Sequence, residues 1–420
     1  MSRIKTMTVA AIAAATLAVG ASGCASSPAT SSGSSANPVS GPVTFWVMGD
    51  SATKFQDLVK PFTDETGIKV NAVAIPWDSI DQKFTTAVAS GNGPDLLQIG
   101  ISKLRNFADS GSLAPLQDKV GDYGSLAAEN FIDGMAGDDT KVNGDTLSVP
   151  WVSDTRVLFY RSDILNANGI TNPPATWDDL RSDAKKLTAR GEGQFGYYVP
   201  QWDSALPVAM TWGQGGSVVN NDGKIDFNTP EFQKAVDLYT GLYGDKSVPT
   251  DSNFDQTQGF VSGATPMVVS GPYLAKAIND AAPELKGKWS ATTLPAGETN
   301  TSLLAGSHIG MMANSAHQDS ALKLLDYLSK PATQLEWFKI NSELPAVKAA
   351  LSDSSLSADP LNAVYAKQLE NAKVLPLVPN WDGGVGKDML KALNSIALTG
   401  SDRNSALEQL YKSTSDVSTK

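Results

Sequence analysis

Residues 43–99 alternate between two hydrophobic periods, and that alternation constrains the fold more than any other feature of the chain. Val43-Thr44-Phe45-Trp46-Val47-Met48 is a continuous, mostly apolar run ending at Gly49-Asp50. Such a run is expected of a strand buried on both faces. Phe55, Leu58, Val59 and Phe62 follow at helical spacing, and Gly67 stops that helix. Ile68 to Ile75 reads as a second strand. Asp78 or Ser79 can cap the next helix, which carries Ile80, Phe84, Ala87 and Val88. The turn Ser90 to Pro94 then leads into a third strand, Asp95 to Ile99. Strand, helix, strand, helix, strand is the signature of an α/β fold with a largely parallel sheet and crossover helices.

The pattern resumes beyond residue 150. Val157 to Tyr160 reads as a short strand, and Thr176-x-x-Asp179 resembles a capping box that opens a helix with Leu180, Ala184 and Leu187. Asn228-Thr229-Pro230 starts another helix, with Phe232, Val236 and Tyr239 on one face. Pro266 to Val269 reads as a strand, and a helix marked by Ala321, Leu324, Leu325 and Leu328 stops before Pro331. Leu335, Phe338 and Ile340 belong to a further helix, and the C-terminal part is helical, with Leu390, Leu393, Leu407 and Leu410 as core positions. A chain of 420 residues is long enough for two lobes rather than one core.

The N-terminus reads as a targeting segment. Arg3 and Lys5 precede an apolar run from Met7 to Val19, too short to span a bilayer. Ala21-Ser22-Gly23-Cys24 then resembles the lipobox of bacterial lipoproteins, although Ala21 stands where that motif usually has Leu. On this reading residues 1–23 are a lipoprotein signal peptide, Cys24 is acylated and anchors the chain to the cell membrane, and residues 24–41 are an uncharged flexible tether. The alternative is an ordinary signal peptide that contains a cysteine. The formal net charge is −11, and loss of Arg3 and Lys5 takes it to −13. No basic stripe is present, which argues against a nucleic-acid partner. Cys24 is the only cysteine, so no disulfide forms within the chain. With only His308 and His317, a histidine metal cluster or histidine-driven triad has little support.

Five groups of segments resemble the bacterial extracellular solute-binding proteins of the maltose-binding type, which serve ABC transporters. They are Phe45 to Asp50 with Phe62 to Val70; Ala89 to Asp95; Val149-Pro150-Trp151 with Leu158 to Asp163, running on through Gly169-Ile170 and Pro173-Pro174 to Thr176–Leu180; Gly263 to Met267 with Ser270-Gly271-Pro272-Tyr273; and Leu294 to Gly297 with Gly306-Ser307-His308. They follow the family order over nearly all of the chain beyond residue 42. The resemblance implies a two-lobed periplasmic-binding-protein-like fold (type II) with a ligand cleft between lobes joined by a hinge. It implies an N-terminal lobe of residues 42–152 and 296–330 and a C-terminal lobe of 153–295 and 331–420. It also implies that closure of the lobes is what the membrane permease senses.

A sugar site needs aromatic platforms and planar polar groups that fork onto hydroxyls. Several of the nine tryptophans lie in loops beside Gly, Pro, Asn or Asp. Asp50 and Ser51 end the first strand, where parallel sheets meet ligands. The resemblance places a sugar-binding acidic residue at Asp50 and usually a lysine at Ser51. It places a carboxylate at Asp154, with Arg156 on the same side of an extended segment. It makes Trp202 and Tyr273 stacking residues, with Gly271 in the same loop as Tyr273, and puts Trp381 near another. Trp77, Gln98 and Ser307 complete the ligand-binding candidates. The structural alternatives are a helix cap at Asp50, a hinge ion pair for Asp154 and Arg156, and core packing for the aromatics. Trp46 and Trp337 lie in apolar periodic runs and read as core.

The expected function is capture of a carbohydrate, in particular an oligosaccharide, for an ABC importer, by a monomer with no cofactor and no catalysis. Two other readings stay open at this point. One is an exported glycosidase with paired carboxylates, for which 44 acidic residues offer many pairs. The other keeps the fold but changes the ligand to a polyamine, metal or peptide.

Overall fold

The computed structural model describes residues 41–419. The expected signal peptide, Cys24 and the tether up to residue 40 lie outside the described residues. Ten strands run in chain order: β1 Val43–Met48, β2 Val70–Ile75, β3 Leu96–Gly100, β4 Ser148–Thr155, β5 Val157–Tyr160, β6 Met267–Ser270, β7 Ser290–Thr292, β8 Ser302–Met311, β9 Leu344–Pro345 and β10 Ala372–Lys373.

β1 lies between β2 and β3 and pairs in parallel with both. Phe45 and Val47 of β1 are buried, as its uninterrupted apolar run requires. Two helices, Ala52–Leu58 and Lys60–Thr66, replace the single helix expected before Gly67, which ends the second in the left-handed conformation. The parallel arrangement stops at β3. The first sheet runs β2-β1-β3-β8-β4-β9, with β10 paired to β8. β8 enters antiparallel between β3 and β4, about 200 residues of chain beyond the first and about 150 beyond the second. The second sheet, β6-β5-β7, is wholly antiparallel. The expectation of a largely parallel sheet is therefore corrected to a mixed one, because β8 returns from the second lobe and fills the edge of β3.

Arg156 alone separates β4 from β5, so the chain leaves the first sheet and enters the second within one residue. β8 starts beside that point, where Ser302 Oγ donates to the Arg156 carbonyl (2.7 Å). The β4–β8 ladder shifts register between Pro150 and Val152. Opposite the shift, Gly306 has φ +123°, and a Cβ there would lie 2.0 Å from the Val152 carbonyl oxygen. Only glycine lets the two strands approach that closely.

Each lobe has its own aromatic core. In the first, Phe55 meets Phe45, Trp151 and Trp337 edge to face and the two tryptophans lie tilted against each other, with centroids 4.7 to 6.1 Å apart. Trp337 is core as expected, while Trp46 is only partly buried against the neighbouring cluster. The helix Pro331–Asn341 thus packs on the first sheet, although the expected lobe boundary at 331 assigns it to the second. In the second core the helices Ala205–Gly213, Pro230–Gly244 and Val385–Thr399 bury Leu206, Tyr239, Met389 and Trp381. The capping box at Thr176 forms in full: its hydroxyl accepts from the Asp179 N–H, and Asp179 accepts from the Thr176 N–H. A third passage between lobes follows β10. Leu377 packs on the first lobe, whereas Val378 and Trp381 return to the second.

Candidate ligand-binding site

A cavity of about 660 Å³ lies where the two sheets meet. Its walls come from the C-terminal end of β3, the crossing from β4 to Arg156, the kink of β8, the loop at Trp202, the start of the helix Tyr273–Ala281, and the chain around Asn341–Leu344. Four large hydrophobic side chains are exposed among the described residues. Three of them, Trp77, Trp202 and Tyr273, line this cavity. An exposed ring loses the stabilisation of burial unless something covers it, so their convergence marks a place built to be filled.

The polar groups are held in fixed orientations. Gln98 Oε1 accepts the Met48 N–H (3.0 Å), and its Nε2 donates to Ser307 Oγ (2.7 Å). This clamps the end of β3 to β8. Arg156 Nη1 donates to Asp154 Oδ2 (3.1 Å), its Nε stands 3.6 Å from Asp203 Oδ2, and its guanidinium lies 5.8 Å from the centre of the Tyr273 ring. Burial opposes the charge on Arg156, but the Asp154 and Asp203 carboxylates outweigh it and hold the guanidinium protonated. Burial pushes the Asp154 carboxyl above its ordinary value, against the opposing pull of Arg156. Burial does the same to Glu343, whose Oε2 accepts from Trp337 Nε1 (2.7 Å) and Asn341 Nδ2 (2.9 Å).

Of the residues expected from sequence, Trp77, Gln98, Asp154, Arg156, Trp202, Tyr273 and Ser307 line the cavity. Four do not. Asp50 is exposed on the turn after β1, outside the lining. Ser51 is buried behind the wall and donates to Asn341 Oδ1 (3.3 Å). Gly271 makes room: a Cβ there would lie 2.6 Å from Arg156 Nη1 and 2.9 Å from the Tyr273 ring. Trp381 is 1 % exposed and donates from Nε1 to Ser204 Oγ (3.0 Å), so it packs in the core. Sequence reasoning missed Asp203, Lys276, Asn341, Glu343 and Asp382, all of which line the cavity. Asp203 and Asp382 adjoin tryptophans already singled out, and Lys276 lies one turn beyond Tyr273. Asn341 and Glu343 carry no local signal and are brought in by the fold alone.

The family description "Bacterial extracellular solute-binding protein" matches residues 47–335. The chain belongs to that family. Among curated solute-binding relatives, a putative binding protein of Brucella abortus is 28 % identical over 340 residues, covering 78 % of this chain and 81 % of its own. The diacetylchitobiose binding protein DasA of Streptomyces coelicolor is 27 % identical over 350 residues, covering 81 % and 80 %. Among solved structures, the sugar-binding protein MalE of Xanthomonas citri superposes with a TM-score of 0.83 at 26 % identity, over 89 % of this chain and 96 % of that one. A solute-binding protein of this family works outside the cytoplasm. Among the described residues no helix is long and apolar enough to cross a membrane.

Proposed function

We propose that this solute-binding protein captures a carbohydrate, in particular an oligosaccharide, and delivers it to the permease of an ABC importer. The observation that carries the reading is the convergence of Trp77, Trp202 and Tyr273 on one cavity between the lobes. Three rings with free faces suit the weakly apolar faces of successive sugar units, and the clamped Gln98, Ser307 and Asp154 suit their hydroxyls. The sugar docks on one lobe by stacking, and the other lobe closes to complete the hydrogen bonds. No bond of the ligand is made or broken. Every hydroxyl left unpaired on closure costs affinity, which is how such a cleft reads stereochemistry. An affinity near micromolar, about −8 kcal/mol, fits these contacts.

The same reading includes a monomer anchored to the cell membrane through acylated Cys24. It keeps the lobes of residues 42–152 with 296–330 and of 153–295 with 331–420, except that Pro331–Asn341 and β9 move to the first lobe. A thermal-shift screen against mono- and oligosaccharides, polyamines and divalent metals tests it, with each mixture assayed for breakdown products. A stabilising sugar recovered intact is the expected outcome. A sugar that is cleaved, or a response confined to polyamines or metals, overturns it.

A further inference from the structure

The charge lining the cavity is out of balance. Four carboxylates, Asp154, Asp203, Glu343 and Asp382, face two cations in the lining, Arg156 and Lys276, with a third, Lys54, donating to Asn341 Oδ1 (2.9 Å) from outside it. Arg156 pairs with Asp154 (3.1 Å) and stands 3.6 Å from Asp203, its Nε without a hydrogen-bond partner among the described residues. Lys276 pairs with Asp280, which lies outside the cavity lining. Neither Glu343 nor Asp382 has an ion-pair partner within 4 Å among the described residues; their hydrogen-bond partners are neutral donors, Trp337, Asn341 and Ser102, and Lys54 acts on Glu343 only at longer range.

Two further carboxylate oxygens are left wanting. The Asp203 side chain is only 9 % exposed; Oδ1 accepts the Ala205 N–H (2.9 Å), and Oδ2 stands 3.6 Å from Arg156 Nε. Asp154 Oδ1 is shielded from solvent and has no hydrogen-bond partner among the described residues. An open cleft with an excess of negative charge, bordered by three exposed aromatic rings, favours a cation. The carboxylates attract it directly, and the ring faces attract it through their quadrupoles.

We infer that the solute is a sugar carrying a free amine, positively charged at neutral pH, in place of a hydroxyl or an acetamido group. This rests on the carbohydrate reading above and narrows it. A hydroxyl can bond to a carboxylate, but it leaves the excess charge of the site uncancelled; an ammonium both bonds and cancels it.

Matched sugars differing at one carbon only test this on the full chain. Mono- and disaccharides in the gluco-, galacto- and manno-configurations are titrated by calorimetry, each as hydroxyl, acetamido and free-amine form, with spermidine as a non-sugar cation. The amine form of at least one configuration is expected to bind tenfold or more tighter than its neutral partners. That advantage should shrink as salt rises from about 0.02 M to about 0.5 M, and should narrow in Asp382→Asn. Neutral forms binding as tightly as the amine overturn the inference and leave the carbohydrate reading standing. Binding of spermidine with no sugar bound overturns the carbohydrate reading and leaves the charge argument standing. No response to any cationic probe overturns the inference.

Discussion

Trp202 keeps 60 % of its surface exposed, although its ring is among the largest apolar groups in the chain. Its local pattern, Pro200-Gln201-Trp202-Asp203, recurs as Pro379-Asn380-Trp381-Asp382, yet the two loops are inverted. In the first the tryptophan is exposed and the aspartate buried; in the second the tryptophan is buried and the aspartate exposed. Trp202→Ala should weaken sugar binding by at least ~1 kcal/mol, the scale of a lost aromatic contact. Calorimetry checks this, and unchanged affinity in a folded variant removes Trp202 from the site. His308 makes a prediction of a different kind. Burial pushes it down to about 3 from an ordinary value of 6.5, with Nδ1 2.9 Å from Ser148 Oγ. Between those values the unfolded chain holds one more proton than the folded one. Stability should therefore rise with pH across that window by about 1.4 kcal/mol per unit from this group, and level off above it. Asp154 and Glu343 act with the opposite sign, since their folded values are raised and they favour the fold at acid pH. Urea midpoints measured from pH 3 to 7 should change less steeply in His308→Gln, and equal slopes would refute the assignment.

At the scale of elements, the β1–α–β2–α–β3 start was readable because period and punctuation agree there: apolar strands, helical spacing, and a left-handed glycine at position 67. The capping box at Thr176 was readable for the same reason, as its whole chemistry lies within four residues. β8 was not. Ser302–Met311 is broken by Ala305-Gly306-Ser307-His308, and its partners lie far away in sequence, so nothing local marks ten residues of strand. The site shares that limit. Its aromatics sit in loops whose composition is visible, while Glu343 reaches the cavity only because the helix Pro331–Asn341 packs on the first sheet. Gly306 is where the two kinds of information meet. A glycine in a strand is a weak local signal, and only the β4 backbone opposite explains it. Gly306→Ala forces a side chain into a positive φ and against the Val152 carbonyl. It should cost at least about 2 kcal/mol of stability in urea unfolding; a loss within error would mean that the two strands can move apart freely.

For the molecule as a whole, the lobes meet through the Arg156 crossing, the start of β8 and the passage after β10. Hydrogen bonds outside the cavity lining also join them. Asn106 Oδ1 accepts the Asn380 N–H (2.7 Å), and Arg105 Nη1 donates to the Thr419 carbonyl (3.0 Å). Closure over a ligand should appear as a smaller radius of gyration in solution scattering. At about a hundredfold excess over Kd, it should be accompanied by about 2.7 kcal/mol of added stability. Stabilisation without compaction would mean that the sugar enters a cleft already closed.

The position of β8 has a consequence for how the protein is made. Residues 302–311 lie between β3 and β4, so the first sheet cannot be completed while the ribosome is still translating the first two-thirds of the message. Until then β3 presents an open edge, and its distant partner makes the late pairing slow. For a chain whose family acts beyond the cytoplasm, that delay is useful: a polypeptide that cannot finish folding early is still thin enough to be threaded across a membrane.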